Sequence, residues 1–199
     1  MNLENLKNTI GNIDIYLLDQ ILKERYQKNS VILDVGCGGG RNLKWFYNNG
    51  YTIYGIDANS DVIEDVKKKY KKQATHFSVQ NVDALNFDNN KFDHIVCNAL
   101  LHFAQDEIQF AKMISELVRV LKPKGTIFIR MATLEGMEKY VSHISDGRYH
   151  LPDGTDRFLL TQELLNNIQS KFNLKLVEPY KFVNVDNLRC MATLMFQKI

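Results

Sequence analysis

The stretch that decides the fold is Val31-Ile32-Leu33-Asp34-Val35-Gly36-Cys37-Gly38-Gly39-Gly40-Arg41, with its sequel Tyr51-Thr52-Ile53-Tyr54-Gly55-Ile56-Asp57. An apolar run that stops at a glycine cluster reads as a buried strand entering a tight loop. A helical pattern follows from about Arg41 to Asn48, and Gly50 supplies its stop signal. A second apolar strand then ends at Ile56, just before the acid Asp57 and a helix start at Asn59-Ser60-Asp61. Strand, glycine loop, helix, strand and acid make half of a nucleotide-binding α/β sheet.

The glycine spacing says which kind of nucleotide. In the dinucleotide fingerprint the third glycine comes three positions after the second, for close helix–strand packing. Here Gly36, Gly38 and Gly40 alternate, Gly39 is an extra, and position 41 is Arg. A reductase of the short-chain type would also want Tyr-x-x-x-Lys, and no tyrosine here has lysine four residues on. Asp34 sits inside the strand end. The pattern acid-x-Gly-x-Gly-x-Gly after an apolar run resembles the first motif of the class I S-adenosylmethionine-dependent methyltransferases. The resemblance implies S-adenosyl-L-methionine as cofactor. In it Asp34 braces the loop and approaches the methionyl amino group, and the glycines let the backbone lie against the cofactor without a Cβ in the way.

Further positions follow from the same resemblance. Asp57, with Ala58 beside it, would accept hydrogen bonds from the ribose hydroxyls. Asp83 would meet the adenine amino group and the Ala84 amide a ring nitrogen. Asn98 and Ala99, at the end of strand 4, would contact the methionine part. Without the resemblance, Asp57 reads as a helix cap and Asp83 as a surface loop acid. Arg41 either pairs with the methionyl carboxylate at the helix start or makes a surface ion pair.

A narrower likeness lies in Gly40-Arg41-Asn42-Leu43, Asn49-Gly50-Tyr51 and the last strand Arg189-Cys190-Met191-Ala192-Thr193-Leu194, which resemble the tellurite-resistance methyltransferases. That type implies that Arg189 lines the acceptor pocket. His102 is the best-placed general base if the acceptor must lose a proton; the alternative is packing against the cofactor or capping the next helix. No metal ligand is expected. Lys122-Pro123-Lys124-Gly125 stands where the family has Pro-Gly-Gly, a departure that touches the turn geometry.

Outward from the motif the elements alternate. Leu17, Leu18, Ile21 and Leu22 form a helical stripe within Leu3–Tyr26, which Gly11-Asn12 divides in two. Residues 1–29 thus read as N-terminal helices. Beyond Asp57 the pattern predicts a helix to about Lys72, strand 3 near His76–Val79 and strand 4 at Phe92–Cys97. A helix from about Asp106 to Leu121 and strand 5 at Thr126–Met131 follow. Residues 132–160, irregular and rich in His, Tyr, Gly and Asp to about Phe158, are expected to form a lid on the substrate side. A helix at Thr161–Lys171, capped by Thr161, precedes two long β patterns, Leu174–Val185 and Arg189–Gln197, joined at Asp186-Asn187. The implied fold is α/β: a Rossmann-like, seven-stranded, mostly parallel sheet with an antiparallel last strand and helices on both faces. Residues 1–199 form a single domain in this reading.

Composition narrows the partners. The 199 residues are 45% hydrophobic and 24% charged, with a net charge of +2, ordinary for a globular protein. The run Lys67-Lys68-Lys69 with Lys71-Lys72 reads as a solvated helix face opposite Val62, Ile63, Val66 and Tyr70. No concentrated basic face argues for nucleic acid, and strand 4 ends in Asn98-Ala99-Leu100-Leu101 rather than the Asn-Pro-Pro-Tyr type of amino-group base methylation. Three scattered cysteines give neither zinc spacing nor a disulfide framework. A cytoplasmic enzyme acting on a small-molecule acceptor is expected, without a membrane partner. The alternatives are a cofactor-binding protein without turnover and a nucleic-acid methyltransferase.

Overall fold

The computed structural model describes residues 2–199, so Met1 of the expected N-terminal segment lies outside the described residues. Two helices, α1 (Leu3–Ile10) and α2 (Ile15–Leu22), precede β1 (Val31–Val35). A 3-10 turn at Arg41–Leu43 leads into α3 (Lys44–Asn48), then β2 (Thr52–Asp57), α4 (Ser60–Lys69), β3 (Phe77–Val79) and β4 (Phe92–Asn98). Next come α5 (Glu107–Val120), β5 (Leu121–Ala132) and three short strands, β6 (Ser142–Ser145), β7 (Arg148–His150) and β8 (Asp156–Phe158). The chain closes with α6 (Gln162–Phe172), β9 (Leu174–Leu176), β10 (Lys181–Val185) and β11 (Arg189–Lys198). No described helix is long and apolar enough to cross a membrane.

The main sheet runs β10-β11-β5-β4-β1-β2-β3. Its members β1 to β5 are parallel, and β11 runs antiparallel to β5. Alternation along each strand sends side chains to opposite faces. Leu33, Val35, Ile95, Cys97, Ile127 and Ile129 join the core under α5 and α6. Ile32, Ile53, Val96 and Phe128 join the core under α2, α3 and α4. Burial of Phe110, Ile114 and Leu117 from α5 contributes roughly 1.5–3 kcal/mol per side chain. Helix starts are capped as their sequences ask: Asp14, Asn59, Asp106 and Thr161 each accept a first-turn N–H.

Four expectations need correction. The helix at Arg41 begins as a 3-10 turn, because Gly40 enters it with φ 67° and Leu43 N–H reaches the Gly40 carbonyl. The β pattern Leu174–Val185 is two strands. Pro179, which has no N–H to give the ladder, lies in the break, and both halves pair with β11, so the sheet has eight strands instead of seven. The turn Lys122–Gly125 falls inside β5: Leu121 already pairs with Phe92, and an irregularity with Lys124 at φ 64° intervenes before Thr126 pairs with His94. The stretch from Ala132 to Phe158 is not irregular throughout. It holds an antiparallel sheet β6-β7-β8, turned at Asp146-Gly147 with both residues at positive φ. Asp-Gly between short β-prone runs is a hairpin signal. This small sheet is fixed to the main body by stacking of Phe158 on Phe110 and by the Arg148 bond to the Ala104 carbonyl.

Candidate active site

The parallel strands end at one edge of the sheet, and the chemistry collects there. The glycine loop is held by its own acid. Gly38 takes a left-handed backbone, φ 49°, and its N–H donates to Asp57 Oδ2 at 3.0 Å. The other Asp57 oxygen accepts from Asn59 N–H at 3.0 Å. A carboxylate has about four acceptor sites, so Asp57 keeps capacity for a ligand. A Cβ on Gly38 would meet nothing within 4 Å, so the loop faces open space there. Gly40 does a different job: a Cβ there would stand 2.6 Å from Tyr70 Cε2 and 2.8 Å from Val66 Cγ2. Its small size serves the packing of loop on α4.

Beside the loop lies a cavity of about 320 Å³. Gly36, Asp57, Ala58, Asp83, Phe103 and Gln109 are in its wall. Asp83 is steadied by Gln109, whose Nε2 donates to Oδ2 at 3.2 Å. A larger groove of about 680 Å³ between α5 and α6 is lined by none of the strand-end residues.

The second feature is a set of buried polar atoms without partners. Asp34 Oδ2, both side-chain polar atoms of Asn98 and Arg130 Nε have none. Alternation puts all three side chains on the α2 face of the sheet, with Ile32, Val96 and Phe128. Asn98 is the register partner of Arg130, and Asp34 of Val96. Buried polar groups are nearly always satisfied, so an adjacent group of orphans needs an explanation. A ligand carrying both an ammonium and hydrogen-bonding groups would supply one. Next to them Ala99 holds a left-handed backbone, φ 58°, fixed by its N–H bond to the Arg130 carbonyl.

Burial pushes the Asp34 carboxyl up to about 8; Arg41 opposes the shift and Asp57 adds to it. The folded protein therefore keeps this proton where the unfolded chain has lost it. The stability it contributes is full below pH about 4 and is lost as pH rises through about 8, at up to ~1.4 kcal/mol per pH unit. His94 and His102 act in the opposite sense: burial holds each at about 4, with Arg157 adding to the effect at His102. They lose stability as pH falls from about 6.5 through 4. Asp34→Asn is expected to flatten the fall in Tm between pH 6.5 and 8, measured without ligand.

A second cavity, about 300 Å³, adjoins the ends of β4, β5 and β11. Ala99, His102, Arg130, Asp153, Arg157 and Arg189 are in its wall. Arg130 Nη1 donates to Asp14 Oδ2 at 2.8 Å, and its guanidinium lies over the Tyr16 ring. Asp14, which also caps α2, thereby ties the N-terminal helices to this edge.

The sequence-predicted residues divide on this geometry. Gly36, Asp57, Ala58 and Asp83 line the first cavity, and Ala99, His102 and Arg189 the second. Asp34 and Asn98 lie at the strand ends as orphans. Two are engaged within the protein, Arg41 in keeping with its surface ion-pair reading. Arg41 lines neither cavity; its guanidinium is drawn to Asn12 O at 3.0 Å and to Asp14 at 3.9 Å. The Ala84 N–H is turned inward to the Asn81 carbonyl. Arg130 was missed, although a lone arginine in Ile127-Phe128-Ile129-Arg130-Met131 was a legible signal at a strand end.

Residues 33–129 match the methyltransferase-domain family. A "ubiquinone biosynthesis O-methyltransferase" of Pelagibacter ubique is 31% identical over 189 residues, covering 86% of this chain and 76% of that protein. Proteins of the same name from Coxiella burnetii are 29% identical over 133 residues, 64% of this chain; the match spans 55% of their length. Among solved structures, Burkholderia thailandensis 1,6-didemethyltoxoflavin-N1-methyltransferase, crystallised with 1,6-didemethyltoxoflavin and S-adenosylhomocysteine, superposes with a TM-score of 0.72 at 15% identity, covering 98% of this chain and 81% of that one. Glycine loop, strand-end acids, sheet order and these likenesses agree: the chain belongs to the class I S-adenosylmethionine-dependent methyltransferase family.

Proposed function

We propose that the chain transfers the methyl group of S-adenosylmethionine to a small polar acceptor bound in the second cavity. The observation that carries this reading is the row of orphaned atoms of Asp34, Asn98 and Arg130 beside an open glycine loop. When bound, S-adenosylmethionine supplies an electrophilic methyl group on a sulfonium. Asp34 meets its ammonium, Asn98 offers the same part a donor and an acceptor, Asp57 takes the ribose hydroxyls and Asp83 the adenine amino group. The Ala132 N–H donates to His102 Nδ1 at 3.2 Å, which assigns the ring proton to Nε2. His102 is then a neutral donor that orients the acceptor, and it has no free lone pair with which to act as base. In-line positioning in a site shielded from water supplies the acceleration.

Residues 1–199 act as one unit in this reading, with the 132–160 segment walling the acceptor cavity through Leu151, Asp153, Thr155 and Arg157. The finer tellurite-resistance likeness rests on Arg189 and the last strand, whereas the relatives carry ubiquinone names. Arg189 in the cavity wall supports a polar acceptor under either.

The proposal is tested by calorimetry and turnover. S-adenosylhomocysteine should bind, and binding at pH 7 should release close to one proton, because an Asp34 carboxyl at about 8 must ionise beside the ammonium. Affinity should therefore rise with pH up to about 8. Asp34→Asn should abolish the proton release. Failure to bind S-adenosylhomocysteine or S-adenosylmethionine would remove the proposal, and binding without turnover across a panel of small acceptors would favour a non-catalytic role.

A further inference from the structure

The lining of the acceptor cavity is both cationic and apolar. Arg130, Arg157 and Arg189 share its wall with a single carboxylate, Asp153. Arg130 is engaged by Asp14 at 2.8 Å. Arg189 approaches Asp153 only to 3.7 Å, beyond hydrogen-bonding distance. Arg157 gives one N–H to the Asp156 carbonyl and rests its guanidinium on the Phe103 ring at 4.7 Å. Each guanidinium carries five donors in a planar fork, so Arg157 and Arg189 retain most of theirs. Leu151, Val185 and Met191 supply the apolar wall.

We infer that this cavity takes a small organic acid, its carboxylate held between Arg157 and Arg189 and its carbon skeleton laid against Leu151, Val185 and Met191. This rests on reading the cavity as the acceptor site. A planar, bidentate anion matches the guanidinium fork. The volume, about 300 Å³, is many times the roughly 10–15 Å³ that holds one water. An inorganic oxyanion would fill only part of it and leave the apolar wall uncovered. Phe103 lines the first cavity and carries Arg157 on its face. The anion grip and the cofactor cavity thus share a wall, which sets the acid next to the methyl donor.

The test uses the protein saturated with S-adenosylhomocysteine. Benzoate, 4-hydroxybenzoate and 3-hydroxybutyrate are titrated against their primary amides, with selenite as a separate arm. The carboxylates should bind at least about tenfold more tightly than the matched amides, and more tightly than selenite. Arg189→Met should cut that preference to below about threefold, Arg157→Lys should leave it intermediate, and Arg157→Met with Arg189→Met should erase it. The Arg189→Met protein should bind S-adenosylhomocysteine within about twofold of the parent, which shows that the variant is folded. Equal binding of acids and amides, a preference that survives in the double variant, or selenite binding more tightly than every carboxylate would overturn the inference. In each of those outcomes S-adenosylhomocysteine still binds, whereas loss of that binding in the parent protein overturns the functional proposal itself.

Discussion

Asp57→Ala is expected to weaken S-adenosylhomocysteine binding at least 100-fold, the largest single effect of any substitution at the site. Hydrogen bonds to a charged group contribute about 1.5–3 kcal/mol each, and two ribose hydroxyls converge on one carboxylate in the proposed complex. Two bonds inside the protein go as well, from Gly38 N–H and Asn59 N–H. The loop loses its tie to β2, and free stability should drop by about 1–2 kcal/mol. Asp57→Glu, which keeps the charge but displaces it, should recover little. Calorimetric Kd and Tm together separate the two parts: a large fall in affinity with a small fall in Tm is expected. Affinity within threefold of the parent would contradict the role given to Asp57.

Gly40→Val should show the reverse balance, with a large loss of stability. The residue has φ 67°, where a side chain with a Cβ is strained by about 1–2 kcal/mol. The Cβ would also press into Tyr70 and Val66, both buried. Tyr70 has little room to yield, since its hydroxyl donates to the Gly40 carbonyl at 2.6 Å. Overpacking of this kind costs about 1–3 kcal/mol. The sum is a large share of the roughly 5–15 kcal/mol that holds a domain folded. Tm should fall by about 10 °C. Gly38→Ala meets no neighbour and pays only the backbone strain, so a Tm loss at position 38 as large as at 40 would contradict this division of labour.

The inner sheet was legible because its signals are local. Val31–Val35 ends in glycine, β2 ends in an acid, and α5 shows its apolar stripe Phe110, Met113, Ile114 and Leu117 directly in sequence. The acids Asp34, Asp57 and Asp83 were singled out through the family resemblance; Asp34 and Asp57 lie at the ends of β1 and β2, and Asp57 and Asp83 line one cavity. What escaped depends on contacts between distant segments. Arg41 had two readings in sequence, and the Asn12 carbonyl and Asp14, from the helical segment upstream, favour the surface ion pair. His102 had two readings, general base or packing and capping residue, and its tautomer depends on the Ala132 N–H, thirty residues on. The split between β9 and β10 was visible as Pro179, whose missing donor outweighs the β-prone residues around it.

The irregularity at Lys122–Gly125 has an electrostatic consequence at the far end of its strand. Between Phe92 and His94 the partner strand advances from Leu121 to Thr126, and this offset alone sets Arg130 opposite Asn98. Shortening the turn by one residue, with Leu121 still opposite Phe92, would reverse the parity of everything downstream. The guanidinium would then stand beside Cys97, an unpaired cation in the oily layer beneath α5, and Met131 would take its place at the ligand-facing edge. Whether this cation is offered to a ligand at all is thus decided by how many residues are counted into a bend a whole strand's length away.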